Sequence, residues 1–347
     1  MKTIVLTGGG TAGHVMPAIA LLPFLKGHKI IYIGSNGIEK KILEKHPEIP
    51  FHEIECAKLR RSLSIKNLTI PFKVCKGTRQ AKRILREIKA DIVFSKGGFV
   101  SYPVTRAAKQ LGIPVILHES DLTMGLANRL GARHARLILT AFSKTAEEVE
   151  KKYPKKVVKR VGAPLRREIY KGNRNNVGIS NKKRNLLVMG GSQGAKKIND
   201  ALRASLPDLL EYNVIHITGV GKMAELTLAN YTQIEYTEQI ADYIDWADMV
   251  VSRAGANSVC ELLALKKAML LIPLSTGRGD QMQNAKYISE YNCANVLWEE
   301  SMTRETLTQG IEQTFEMREM LSRNCSAIFA DIDGAERTAE EVLKSNS

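Results

Sequence analysis

The segment Ile4-Val5-Leu6-Thr7-Gly8-Gly9-Gly10-Thr11-Ala12-Gly13, followed by the apolar stretch Pro17–Leu25, decides the fold. A short apolar run that breaks into glycines and then into a helical pattern reads as strand, tight turn and helix. The order returns at Asn185–Met189, Gly190-Gly191-Ser192-Gln193-Gly194-Ala195 and a predicted helix over Lys197–Leu206. Further strands are predicted at Ile30–Ile33, Asp91–Ser95, Pro114–Leu117, Leu137–Thr140, Val214–Ile217, Met249–Ser252 and Met269–Ile272, with a helix over Pro103–Leu111. Short apolar strands alternating with helices pair in parallel. The fold class is therefore α/β: two doubly wound, Rossmann-like domains facing across a cleft, with ligands expected at the carboxyl ends of both sheets.

At 347 residues the chain exceeds one ordinary core and suits two domains. The expected partition is 1–163, 164–330 and a C-terminal helix at 331–347 that packs back on the first domain. Gly162–Arg184, rich in Gly, Asn, Lys and Arg, reads as a linker followed by an exposed loop. Five scattered cysteines without a CxxC pair point to reduced thiols and a cytoplasmic setting. The residues before the first glycines are too few for a signal peptide, and no apolar run approaches the roughly 18 residues of a spanning helix.

The net charge of +15 is uneven. Residues 1–165 carry 30 Lys and Arg against 12 Asp and Glu, a balance of +18; residues 166–347 carry 21 against 24, a balance of −3. A basic first half suggests an anionic partner, or else a solvated basic face. No nucleic-acid motif or aromatic stacking platform accompanies the charge, and aromatic residues make up only 6% of the chain.

A strand that ends in glycines and opens a helix is a ready anion site, because the backbone comes close and the free helix N–H groups favour negative charge. Neither loop has the GxGxxG spacing of dinucleotide sites or the GxxxxGK[ST] of nucleoside-triphosphate loops. His14 follows the first loop, where a helix N-terminus keeps its imidazole neutral. It is available there as a base, or else it bonds a loop carbonyl. His118-Glu119-Ser120-Asp121 is a polar cluster at a strand's carboxyl end. Ser252-Arg253-Ala254-Gly255-Ala256-Asn257-Ser258-Val259-Cys260-Glu261 leads a strand through small residues into a helix whose carboxylate can accept ribose hydroxyls. The carboxamides Gln281 and Asn284 suit a sugar's hydroxyls.

With these residues in view, the chain resembles the MurG family of peptidoglycan glycosyltransferases, over nearly its whole length. The segments that carry the resemblance are Ser95-Lys96-Gly97-Gly98-Phe99-Val100, His118-Glu119-Ser120-Asp121, Ser252–Ser258 and Arg278-Gly279-Asp280-Gln281, closest to the pattern of Gram-positive relatives. The resemblance implies a GT-B hexosyltransferase. It would move N-acetylglucosamine with inversion from UDP-N-acetylglucosamine to the C4 hydroxyl of undecaprenyl-pyrophosphoryl-MurNAc-pentapeptide (lipid I), giving lipid II in cell wall synthesis.

It further implies that the second domain holds UDP-N-acetylglucosamine through Arg166, Ser192, Gln193, Thr237, Arg253, Ala256, Asn257, Ser258, Glu261 and Gln281. Thr11, Ala12 and Gly13 approach the sugar, and His14 is the candidate general base with Glu119 as alternative. The acceptor side comprises Gly97, Gly98, Phe99, His118, Glu119 and Asp121. The sequence departs from the family pattern at Ala12, Asp121 and Asp280.

No DxD-type or His/Cys cluster offers a metal site, so no cofactor and no metal are expected. Arg60, Arg61, Lys66, Phe72 and Lys73 interleave basic and apolar residues, as a patch on an anionic membrane does, although an ordinary helix with its apolar stripe in the core also fits. The expected setting is peripheral, on the cytoplasmic side of the cell membrane, with other cell-wall synthesis proteins as further partners. The competing readings are another UDP-N-acetylglucosamine-using GT-B enzyme such as a 2-epimerase, and a basic nucleic-acid-binding protein.

Overall fold

A computed structural model describes residues 1–57, 69–179, 183–191, 194–276, 279–328 and 332–345. The chain divides into two compact units, Met1–Arg166 with Asp333–Ser347, and Arg167–Ile332.

The first unit runs β1 (Thr3–Thr7), α1 (Ala12–Ile19), β2 (Lys29–Gly34), α2 (Ile38–Leu43), β3 (Phe51–Glu53), α3 (Ile70–Glu87) and β4 (Ile92–Ser95). It continues α4 (Ser101–Gln110), β5 (Val115–Glu119), α5 (Leu126–Gly131), β6 (Leu137–Thr140), α6 (Ser143–Lys152) and β7 (Val157–Arg160). Its seven strands pair in parallel in the order β3-β2-β1-β4-β5-β6-β7. Side chains alternate between the faces of a strand. Ile4, Leu6, Tyr32, Ile92 and Phe94 accordingly join one core with Val15 and Ala18 of α1. Val5, Ile33, Val93 and Val115 join a second core with α3 and α4.

The second unit runs β8 (Arg184–Met189), α7 (Lys196–Ser205), β9 (Tyr212–Ile217), β10 (Tyr231–Ile234), α8 (Ile240–Trp246), β11 (Met249–Ser252) and α9 (Ala256–Ala264). It continues β12 (Ala268–Leu271), α10 (Asp280–Glu290), β13 (Asn295–Val296), α11 (Arg304–Glu316) and α12 (Arg318–Ile328). Its sheet is also parallel, in the order β10-β9-β8-β11-β12-β13. The last helix, α13 (Ala335–Lys344), belongs to the first unit, where Ala335, Ala339 and Val342 join the core of Ile4 and Leu6.

Two local expectations need correction. The apolar stretch Pro17–Leu25 is not one helix: α1 starts at Ala12 and ends at Ile19, and a 3₁₀ turn follows over Leu22–Phe24. Pro23 has no N–H to donate to the Ile19 carbonyl, so the helix cannot run through. Nor is Gly162–Arg184 an open linker. It contains 3₁₀ turns at Arg167–Lys171 and Arg174–Val177, with Ile169 buried and the Asn173 N–H donating to Asp242 Oδ1 at 2.8 Å.

Candidate active site

Each sheet reverses its winding direction once, between β1 and β4 in the first unit and between β8 and β11 in the second. The loops that leave neighbouring strands there diverge to opposite faces and open a crevice. The sequence segments singled out above sit at these two places. Four follow β1 (8–13), β4 (96–99), β8 (190–191 and 194–195 among the described residues) and β11 (253–258), those after β1 and β11 running into the first turns of α1 and α9, and His118–Asp121 follows at the end of β5.

In the first unit, the chain leaves β1 through three glycines, and each is required by a neighbour. A Cβ on Gly8 would sit 2.6 Å from the His14 carbonyl oxygen, and one on Gly9 would sit 2.7 Å from the Glu39 carboxyl. Gly10 has φ +86°, and a Cβ there would meet the Phe99 ring at 2.5 Å. Helix α1 starts with Thr11 as an extended N-cap whose side chain makes no capping bond. Thr11 and Gly13 are exposed, while Ala12 and His14 are half-buried. The Lys96–Phe99 loop packs on this turn: a Cβ on Gly98 (φ +79°) would lie 2.1 Å from Gly9 O and 3.0 Å from His14 Cδ2. His14 and the Lys96–Phe99 loop thus form one surface.

Lys96, His118 and Ser120 lie beneath that surface. The buried Lys96 ammonium bonds His118 Nδ1 at 2.8 Å and donates to Ser120 Oγ at 2.6 Å. His118 Nε2 lies 2.9 Å from the Gly162 carbonyl. Burial, and then the Lys96 charge, hold the His118 imidazole well below the ordinary histidine value, so it is neutral. Its Nε2–H donates and its Nδ1 accepts. The expectation that His118 faces an acceptor is therefore corrected: it is fully buried with both ring nitrogens occupied, and it ties the ends of β4 and β5 to Gly162.

Glu119 is similarly engaged. Its buried carboxylate accepts from Ser120 N at 2.9 Å, Asp121 N at 3.1 Å, Gly125 N at 2.9 Å and Asn128 Nδ2 at 2.9 Å. Four donors leave no lone pair to take a proton from a hydroxyl, so the geometry favours a loop-holding role over that of alternative base. Gly97 is buried against the Asn128 carboxamide, and Asp121, two residues after Glu119, is half-buried.

In the second unit, α9 begins directly after Gly255, with no side chain capping it. Ala256 is buried, whereas Asn257, Ser258 and Glu261 are half-buried; Glu261 is three and four positions on from Ser258 and Asn257, which places the three on one helix face. A helix N-terminus with a carboxylate one turn further along can meet a diphosphate and the adjoining ribose. Thr237 follows β10 and accepts from Gln239 N at 3.0 Å. Gln281 Oε1 accepts from Leu274 N at 2.9 Å, which holds the loop after β12 and leaves the amide N–H groups for a ligand. Arg166 is half-buried at the end of the first unit's main segment. Ser192, Gln193 and Arg278 lie outside the described residues, as do Arg60, Arg61 and Lys66. Phe72 and Lys73 are exposed in the first turn of α3.

Arg253 is held from within the second unit. Its buried guanidinium donates to Ile272 O at 3.1 Å and Glu299 Oε1 at 3.2 Å. Glu299 accepts further from Ser275 N at 3.4 Å and pairs with Lys197 Nζ at 3.4 Å. Burial alone would raise the Glu299 carboxyl, but the Arg253, Ser275 and Lys197 contacts hold it below the ordinary carboxylate range. The pair fastens the loops after β11 and β12. Sequence reasoning missed Glu299 and Glu39; the signal for Glu39 was an acid set among Gly34-Ser35-Asn36-Gly37, while Trp298-Glu299-Glu300 carries none.

Residues 4–140 match the glycosyltransferase family 28 N-terminal domain, and residues 185–338 match its C-terminal domain. The UDP-N-acetylglucosamine--N-acetylmuramyl-(pentapeptide) pyrophosphoryl-undecaprenol N-acetylglucosamine transferase of Lachnospira eligens is 48% identical over 328 residues, which covers 91% of each chain. Its namesake in Geobacillus thermodenitrificans is 47% identical over 336 residues, 93% of each. The crystal structure of Acinetobacter baumannii MurG aligns with a TM-score of 0.78 at 27% identity, over 99% of this chain and 100% of that one. A Neisseria meningitidis UDP-GlcNAc 2-epimerase aligns with a TM-score of 0.68 at 14% identity, a likeness of fold alone. With both family domains matched and such identity sustained across both units, the chain belongs to glycosyltransferase family 28 and, within it, to the MurG family.

Proposed function

We propose that the protein transfers N-acetylglucosamine from UDP-N-acetylglucosamine to the C4 hydroxyl of the muramyl sugar of lipid I, forming lipid II. The observation that carries this reading is the 47–48% identity to transferases so named, which spans more than nine-tenths of the chain and so both units.

The acceptor oxygen attacks the anomeric carbon from the face opposite the diphosphate. The new C–O bond forms as the bond to the β-phosphate oxygen breaks, UDP leaves with that electron pair, and the configuration inverts. The hydroxyl proton passes to the His14 imidazole at the start of α1. The amides that open α9 meet the charge growing on the departing diphosphate, with Glu261 on the ribose. The scheme uses no metal, because helix N-termini can stabilise the departing diphosphate by themselves. Turnover that EDTA leaves intact supports the scheme; turnover that EDTA abolishes and a divalent cation restores overturns it.

The acceptor is a membrane lipid, and no described helix is long and apolar enough to cross a membrane. Helix α3 supports peripheral contact at the cytoplasmic face: Lys73, Lys76, Arg79, Arg83 and Arg86 are exposed along it, and Phe72 is 78% exposed at its start. Radiolabelled UDP-N-acetylglucosamine, incubated with a lipid I analogue or alone, tests the function. Label in the lipid only when the acceptor is present supports it; conversion of the nucleotide sugar alone, as by an epimerase, refutes it.

A further inference from the structure

Glu39 has no part in the scheme above, yet it is a fully buried carboxylate directly behind the loop that presents His14. It sits in the first turn of α2, which follows the chain's exit from β2, the strand beside β1. Its Oε2 accepts from Gly10 N at 3.2 Å, and its Oε1 accepts from Ser35 N at 3.0 Å and from the Ser35 hydroxyl. One carboxylate thus joins the loops that leave two adjacent strands.

The glycines around it are spaced to admit it. A Cβ on Gly9 would reach the Glu39 carboxyl at 2.7 Å, one on Gly37 would reach Oε2 at 3.0 Å, and one on Gly34 would reach Cγ at 2.9 Å. A second contact works through Tyr32, whose buried hydroxyl donates to Gly8 O at 2.8 Å. Burial, and then the Glu39 charge, push that phenol well above its ordinary value, so it stays a donor. The loop is held from behind at Gly8 and Gly10, while Gly98 and Phe99 close on it from the front. A carboxylate accepts both groups of donors at once; a carboxamide would have to turn an N–H toward one of them.

We propose that Glu39 is a positioning residue for transfer: it holds Gly8–Gly10 in the conformation that aims His14 at the acceptor hydroxyl. The inference rests on His14 being the base. The test is a double-mutant cycle on the full-length enzyme with Glu39→Gln, His14→Ala and the double variant, measuring kcat, both KM values and thermal unfolding. Misplacement of a reacting group by a fraction of an ångström costs on the order of 10–100-fold in rate, so Glu39→Gln should lose about that in kcat with the KM for UDP-N-acetylglucosamine unchanged. In the His14→Ala background the same change should cost less than about twofold, because there is no base left to aim.

An equal loss in both backgrounds, or wild-type kcat in Glu39→Gln, overturns the inference while the base reading stands. Wild-type kcat in His14→Ala removes the base reading and this inference with it. If Glu39→Gln does not fold, Ser35→Ala replaces it, since it removes one donor without unpairing the carboxylate. It should show a smaller kcat loss that again vanishes without His14, and a loss that persists there overturns the inference.

Discussion

Gly98 lies against His14 so closely that a single methyl group on it would approach the imidazole Cδ2 to 3.0 Å and Gly9 O to 2.1 Å. The loop after β4 is therefore shaped to receive the turn after β1, and the approach needs a residue with no side chain at φ +79°.

Gly98→Ala should disturb both at once. The left-handed backbone alone costs roughly 1–3 kcal/mol, and the contact with Gly9 O adds to it. Urea unfolding should report a loss of at least that size, accompanied by a kcat below that of wild type. Unchanged stability and turnover would show that the two loops do not pack as described.

The buried pair Arg253–Glu299 gives a second expectation. Removing one partner leaves a charge without its counter-ion, which costs about 3–5 kcal/mol for a buried pair. Glu299→Ala should lose stability on that scale, with little of it from the exposed Lys197. A loss below about 1 kcal/mol, the size of a surface pair, would contradict the burial.

His216 supplies a pH signature. Its Nδ1 meets Tyr231 Oη at 2.8 Å and its Nε2 meets Asn199 Oδ1 at 3.0 Å, and burial, then Arg203, lower its pKa to about 3. Above the ordinary histidine value of about 6.5 it is neutral folded and unfolded, so it has no pH dependence there. As pH falls below that value the unfolded chain takes up a proton that the folded one refuses. Stability should then drop by about 1.4 kcal/mol per pH unit from this group until pH nears 3. Unfolding midpoints between pH 7.5 and 5 should fall more steeply in wild type than in His216→Gln. Parallel slopes would mean the histidine is not held neutral.

These features were unequally legible in the sequence. The strands of both sheet centres, such as Ile4–Thr7 and Met249–Ser252, announce themselves because a buried parallel strand is apolar on both faces. Edge strands do not: Val157–Arg160 ends in Lys159 and Arg160, and Phe51–Glu53 is only three residues long. At the site, glycine loops and helix starts were readable because their chemistry lies in the backbone. The direction of a side chain was not. His118, Glu119 and Arg253 occupy strand ends as expected, yet each turns inward to partners, Gly162, Gly125 and Glu299, that lie far away or carry no mark in the sequence.

Helix α3 carries the membrane expectation. Each basic residue near an anionic surface contributes about 1 kcal/mol, so replacing Lys73, Arg79, Arg83 and Arg86 with Gln should weaken binding to phosphatidylglycerol vesicles by orders of magnitude and remove most of its salt dependence. Binding by the fourfold variant that matches wild type at low salt would rule out this face.

The central claim is that the turn after β1 supplies the base for sugar transfer, and His14→Ala tests it most directly. With UDP-N-acetylglucosamine and a lipid I analogue, the account predicts a kcat about 10²–10⁴-fold below wild type, with donor KM and thermal stability nearly unchanged. A kcat within about threefold of wild type would contradict it.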